Sequence, residues 1–370
     1  MTKDMSNTVS FLVMTILGMA VVLSNGCGSK NGSAASLPPA APTGVIAIAG
    51  NTQVTIGWSA SNGATGYNVY DSTTSGGPYA EITSTTHIIY TITGLTNGTK
   101  YYFIVTATNV KGESGYSNQV SAIALPPIII ANGGTYTSCT TIPDTGPISV
   151  NITVTDFQTK GAVPGATVSF FTSTSDTVGN ANPDVTATAG SNGTTTVTLP
   201  TGTLFVAKAS MTNYQDTYQF GDILSASDAG TLFQVLLISS STVQLVSALA
   251  HATQDWSNGA IVGTVWDCNG NSIQNAIVSV VDVKTGKPVT TNMVYFKAVP
   301  GLGDIPDPAI IMTSNDGIFV SLNTPPGDYY VVATGVLPAN DTTTTTLGQS
   351  YAESITDSIS IVNVPPPTGP

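Results

Sequence analysis

The sequence predicts an all-β chain: tandem β-sandwiches behind an N-terminal signal segment. Three observations carry that reading. Charged residues make up 8% of the 370 residues, about a third of the ~25% usual for soluble globular proteins. All nine basic residues are Lys, and Glu occurs only at Glu81, Glu113 and Glu353, so the side chains that dress solvated helices are scarce. The polar surplus is Thr, Ser and Asn, which suit half-exposed strands and the turns between them. At ~100–200 residues per domain the length allows about two or three domains.

Charge excludes several functions before any motif is read. A net charge of −12 without Arg leaves nothing to neutralise a phosphate backbone, so nucleic acid is not an expected partner. Only His87 and His251 are available for histidine chemistry, and they fall in different segments. His87 reads as a solvent-facing strand residue and His251 as part of a linker. No catalytic residue, metal site or cofactor is expected, and the chain is not read as an enzyme.

Residues 11–23, FLVMTILGMAVVL, follow Lys3 and precede SNGC. The run is shorter than the ~20 residues a membrane span takes and has the length of a signal h-region. Residues 1–26 are therefore read as a signal peptide and 27–41 as a Pro-rich tether. Cys27 directly after Gly26 resembles the lipobox of bacterial lipoproteins, in which the Cys is lipidated and becomes the first mature residue. Leu23 stands one position further back than that pattern has it, with Ser24 in its place, so plain secretory cleavage is the alternative. Cleavage removes Lys3 and Asp4 together and leaves the net charge of −12 unchanged.

From Pro42 onward, strands recur at short spacing. Val54, Ile56 and Trp58 alternate with Thr55 and Gly57; Tyr67 and Val69 alternate with Asn68 and Tyr70; Tyr101, Phe103 and Val105 alternate with Tyr102 and Ile104. Period-two patterning puts one face of each strand into a core. Pro42, Trp58 in QVTIGWS, GYNVY at 66–70, LTNGTKYYFIVTATN at 95–109 and the closing GESGYSN resemble a fibronectin type III domain, placed at 42–125. That resemblance implies a seven-stranded immunoglobulin-like sandwich without catalysis, and makes Tyr101 a tyrosine-corner residue bonded back to the preceding backbone.

A linker, ALPPIIIANGG, separates this unit from two segments that look like repeats. Val154-Thr-Asp156 leads to Ala166-Thr-Val168, and Val265-Trp-Asp267 leads to Ala276-Ile-Val278; Asn-Gly193 and Asp-Gly317 turns follow in each. These segments, at 135–240 and 258–364, resemble the carboxypeptidase regulatory-like, or transthyretin-like, β-sandwich. The second copy fits better, through GTVWD, NAIVSV, NDGIFVSL and PPGDYYVVATG; the first departs at Leu204-Phe205, where Tyr is usual. The resemblance implies an association or binding role and no hydrolysis. Residues 239–252 read equally as a short helix or a final strand, 293–312 as a long insertion, and 365–370 as a disordered tail.

Asp304, Asp307, Asp316 and Asp328 cluster in sequence, but Asp before Gly or Pro is ordinary turn chemistry and no twelve-residue calcium loop is present. Asp156 and Asp267 end equivalent strands, which points to a structural turn. Aromatic residues are the better lead. Parity sends Tyr70 and Tyr102 outward on neighbouring strands, and Trp266 opposite to Val265. Exposed rings suit sugar faces or a partner protein, while a cross-strand pair supporting the sheet is the favoured account of the two tyrosines. Cys139 and Cys268 are candidates for a disulfide, which an exported compartment permits.

The expected protein is thus a non-enzymatic adhesion or spacer protein, lipid-anchored in the bacterial cell envelope at the outer membrane or cell surface. It presents β-surfaces to extracellular polysaccharide or to envelope and matrix proteins. The alternative is a carbohydrate- or peptide-binding accessory of an extracellular degradative system.

Overall fold

The computed structural model describes residues 37–131, 142–172, 178, 181–299, 303–338 and 340–364. The expected signal peptide, Cys27, Cys139 and the tail at 365–370 lie outside the described residues.

The first unit runs β1 (Thr43–Gly50), β2 (Gln53–Ser59), β3 (Gly66–Ser72), β4 (Ala80–Thr85), β5 (Ile89–Thr93), β6 (Lys100–Asn109), β7 (Gly112–Glu113) and β8 (Val120–Ile123). A sheet ordered β1-β2-β5 faces a second sheet ordered β4-β3-β6-β7, with β8 also on β6. Val54, Ile56 and Trp58 from one sheet meet Tyr67, Val69, Phe103 and Val105 from the other in one core, the arrangement that period-two alternation dictates. The Tyr101 hydroxyl accepts the backbone N–H of Thr96 at 3.1 Å, which ties the β5–β6 crossover to β6.

The linker is docked rather than free. Leu125 and Ile128 are buried. The Ile128 N–H donates to Val336 O at 2.8 Å, and β9 (Ile129–Ile130) pairs with β18 (Ile273–Gln274). The first sandwich is thereby fastened to the last third of the chain, past the segment that follows it in sequence. Gly335 makes this approach possible, because a Cβ there would come within 2.5 Å of the Ile128 side chain.

The middle segment holds β10 (Ile148–Asp156), β11 (Thr167–Phe171), β12 (Val185–Thr188), β13 (Thr194–Leu199), β14 (Leu204–Ser210), β15 (Tyr214–Ile223) and β16 (Leu232–Ser239), then α1 (Ser240–Leu249). The last segment holds β17 (Gly259–Val265), β18, β19 (Ile277–Asp282), β20 (Asn292–Val299), β21 (Gly303–Asp307), β22 (Ile318–Thr324), β23 (Gly327–Leu337), β24 (Asn340–Ser354) and β25 (Ser358–Val364). Their ladders match. β10 pairs antiparallel with β13 and parallel with β16; β17 pairs antiparallel with β22 and parallel with β25. β11 pairs with β14 as β19 pairs with β23. The internal repeat read from Asp156 and Asp267 is a repeat of strand connectivity. The insertion at 293–312 supplies most of the β20–β21 hairpin, which extends the sheet beyond β22.

The two copies share one sheet. Asp216–Phe220 of β15 pair parallel with Ser358–Val362 of β25, whose other edge pairs with β17. β25 is buried along almost its whole length, as a strand paired in parallel and covered on both faces requires. Val362 and Val364 face a core shared with β19 and β23 and with Tyr218 and Phe220 of β15. Ile359 and Ile361 face a second core, closed by Val243 and Ala250 of the α1 region. The ambiguous stretch 239–252 is thus mostly helix: Ser239 caps it, accepting from Thr242 N at 3.2 Å, and satisfies a backbone donor that the first turn leaves open.

Gly263 lets β17 and β25 lie together, since a Cβ there would stand 1.8 Å from Val362 O and 2.7 Å from the Phe319 ring. Gly263→Ala should therefore destabilise the chain by about 1–3 kcal/mol in chemical denaturation. Gly115→Ala, on a residue with open space around it, should stay within about 0.5 kcal/mol of the native chain; equal midpoints for both variants would contradict the close approach.

Burial pushes the Asp222 carboxyl in β15 up to about 6 from 3.8, against the opposing effect of Gln219, whose Nε2 donates to it at 2.8 Å. The folded value lies above the unfolded one, so the associated stability is complete below about pH 4 and lost as pH rises through about 6. Asp222→Asn should gain on the native chain over that window, reaching about 1–3 kcal/mol by pH 7. Denaturation midpoints measured from pH 4 to 7 check this, and parallel curves would refute it.

Candidate functional site

The outer face of the β3–β6 pair gathers aromatic side chains. Tyr70 stands opposite Ile104, and Tyr102 opposite Ser72, so the two tyrosines share this face, as their parity requires. Their contacts differ. The Lys100 ammonium lies 5.5 Å from the centre of the Tyr102 ring. Tyr70 meets Tyr116 edge-on at 5.9 Å, and Tyr116 meets Tyr79 edge-on at 6.1 Å. Tyr116 is 61% exposed, with Tyr70 and Tyr79 half-buried beside it.

Hydrogen bonds fix this group. Glu113 Oε1 accepts from Tyr70 OH at 2.7 Å, from Asn68 Nδ2 at 3.0 Å and from Thr106 Oγ1. The Thr106 and Tyr70 donors hold the Glu113 carboxyl below its ordinary value. Partial burial, reinforced by the bond to Glu113, pushes the Tyr70 phenol up, so Tyr70 remains a donor. On the far side Gln119 Oε1 accepts from Tyr79 OH and, at 2.8 Å, from Gly76 N. The result is a shelf of rings in which hydrogen bonds hold Tyr70 and Tyr79 and Tyr116 packs edge-on against both. Tyr79 and Tyr116 lie in loops, where no strand parity marks them; the only signal was the run of Gly and Ser around each.

Trp266 follows β17, 38% exposed, with its backbone N–H donating to Val364 O at 3.3 Å. The turn beneath it is built by Asp267, whose Oδ1 accepts Asn269 N at 2.9 Å and Asn271 N at 2.7 Å. Burial disfavours the charged Asp267, but the donors of Asn271 and Asn269 outweigh it and hold the carboxyl low. Asp156 does the same in the first copy, accepting Gln158 N and Thr159 N at 3.0 and 2.7 Å. Cys268, in the same turn, is disulfide-bonded; Cys139 lies outside the described residues.

The acids of the last segment mostly close turns or bind tyrosine. Asp307 Oδ1 accepts Ala309 N at 2.9 Å, Asp316 Oδ1 accepts Ile318 N at 3.1 Å, and Asp328 accepts Tyr351 OH at 2.9 Å. Burial and the neighbouring Asp316 push the Asp304 carboxyl up. Among the described residues, no three His, Cys, Asp or Glu side chains converge as metal ligands, and no helix is long and apolar enough to cross a membrane. His87 stands by Thr85, whose Oγ1 lies 3.4 Å from its Nδ1, on an exposed turn between β4 and β5.

Residues 40–123 match the fibronectin type III domain, and the first sandwich is such a domain. The chain is 41% identical over 92 residues to an amylopullulanase of Thermoanaerobacterium thermosulfurigenes, covering 24% of this chain and 5% of that protein. It is 46% identical over 88 residues to an amylopullulanase of Thermoanaerobacter thermohydrosulfuricus, covering 23% and 6% respectively. The matched stretches are thus a small part of those relatives. Among solved structures, a Fn3-like protein from Clostridium thermocellum is 41% identical, with 22% of this chain and 90% of that one covered and a TM-score of 0.22.

Proposed function

We propose that the chain is a non-catalytic, exported accessory protein that holds a β-surface against polysaccharide. The observation that carries this is the likeness of its fibronectin type III domain to segments of amylopullulanases at 41% and 46% identity, proteins named for glucan substrates. The tyrosine shelf gives the reading a physical basis: flat rings held in place bury area against sugar with little entropy loss. Weak contacts of this kind gain strength from repetition along a polymer. The two repeated segments, read as carboxypeptidase regulatory-like sandwiches, act in this proposal as a stalk.

Retention of the full chain on insoluble starch or in a pullulan-containing native gel tests this. Tyr116→Ala and Tyr70→Phe/Tyr116→Ala should lower retention about three- to tenfold, with melting temperature unchanged. Full retention by the double variant would remove the shelf from the reading, and no retention of the native chain on any polysaccharide would favour a pure spacer role instead.

Envelope attachment through acylated Cys27 belongs to the same proposal, and it leaves Cys139 as the partner of Cys268, since the chain has three cysteines. Metabolic labelling with a fatty-acid probe should mark the native protein and not Cys27→Ser, and non-reducing peptide mapping should recover a Cys139–Cys268 peptide. An unlabelled native protein, or a Cys27–Cys268 peptide, would overturn the anchor.

A further inference from the structure

A groove of about 490 Å³ runs between α1, the loop that follows it and the start of β15. Its helix wall carries the polar side chains of Ser240, Gln244 and Ser247, spaced three or four apart so that they share one helix face, and His251 lines the groove just beyond the helix end. Beside this stripe Val243 and Val246 pack into the core on β17, β22 and β25, and Val243 also lines the groove. Gln215 of β15 and Trp256 of the loop close the other side.

The loop wall is preorganised. Gln254 Nε2 donates to Gly259 O at 3.2 Å and its Oε1 accepts Asn323 N at 2.9 Å. Asn323 in turn bonds Asp255 N at 2.6 Å and Thr253 O at 2.8 Å. Trp256 is gripped through its carbonyl by Asp357 N at 3.1 Å, and part of its ring rests on the α1 core. The groove side is different: the Gln215, Gln244 and His251 side chains have no hydrogen-bond partner among the described residues, and Ser247 Oγ is enclosed without one. Gln244 and His251 are open to solvent, whereas enclosed polar atoms are ordinarily satisfied, so Ser247 Oγ is the atom that an occupant of the groove would satisfy.

We propose that this groove binds the end of a neutral oligosaccharide, one or two sugar rings long. Its volume is that of a small-ligand site. The lining offers an indole face for the C–H face of a pyranose and amides that pair with vicinal hydroxyls. It contains no Asp, Glu or Lys, so an anionic or cationic ligand would enter without a counter-charge. The choice of an α-glucan as probe rests on the accessory reading above; the groove's preference for a neutral sugar does not.

The test is titration of the full chain with maltotriose, read by tryptophan fluorescence and by calorimetry. Saturable binding is expected, weakened about tenfold or more by Trp256→Ala and at least about threefold by Gln244→Ala, with Trp266→Ala unchanged. Gln244 is exposed on the helix surface, so its replacement leaves the fold intact even where loss of the Trp256 ring does not. Unaltered affinity in Gln244→Ala and Trp256→Phe would overturn the groove while leaving polysaccharide retention by the tyrosine shelf standing. Absence of binding by maltotriose, cellotriose and xylotriose up to tens of millimolar, or saturable binding of a neutral Gln/Ser peptide in their place, would overturn it too.

Discussion

Insertion of β25 between β15 and β17 is the contact on which the rest of the molecule depends. A strand paired in parallel on both edges must be covered on both faces, and this one is: Val362 and Val364 look toward one core, Ile359 and Ile361 toward the other. Because its edges belong to different repeats, the sheet of the middle segment runs on into that of the last. The helix and the groove beside it stand on one face of this sheet, and Ile128 and Ile130 of the linker enter the core on the other. Two glycines, Gly259 and Gly263, open the space that the strand and its preceding turn fill.

Much of the first sandwich was legible in the sequence, because its information is local. Alternation places Val54, Ile56 and Trp58 inward, and the hydroxyl of Tyr101 returns to a backbone group five residues away. The repeat was legible for the same reason: Asp156 and Asp267 each cap the turn directly after their own strand. Parity says which face of a strand is buried but is silent on which edge meets which. Nothing near Asp216 announces Ser358 as its neighbour. The linker shows the same limit, for its Pro and Ile residues read as punctuation until Val336 and Ile273 are seen beside them.

Sites on loops were the hardest to read. Trp266 lies one residue beyond a strand and its exposure followed from alternation, but Tyr116 and Trp256 lie outside any period. The stretch 239–252 lacks the Glu and Lys that mark most helices, and its helical state is fixed by the Ser239 cap and by burial against β17 and β22, both of which depend on tertiary structure. The shortage of charge also takes on a clearer meaning. With few ions to spare, the described carboxylates are largely engaged in closing turns and anchoring tyrosines, and uncharged amides and hydroxyls are left to face solvent.

The docked linker has a mechanical consequence. Tension drawn along the backbone from the first sandwich does not pass next into the middle repeat; it arrives first at β18 and Val336, where the linker is clasped. Both other cysteines precede Cys268 in the chain, so its disulfide joins this same turn to an earlier part of the polypeptide. The middle repeat therefore hangs in a bypass, shielded from the pull until the clasp gives way. A protein built in this way transmits load through its two ends while its central unit stays slack, with that unit's length held in reserve.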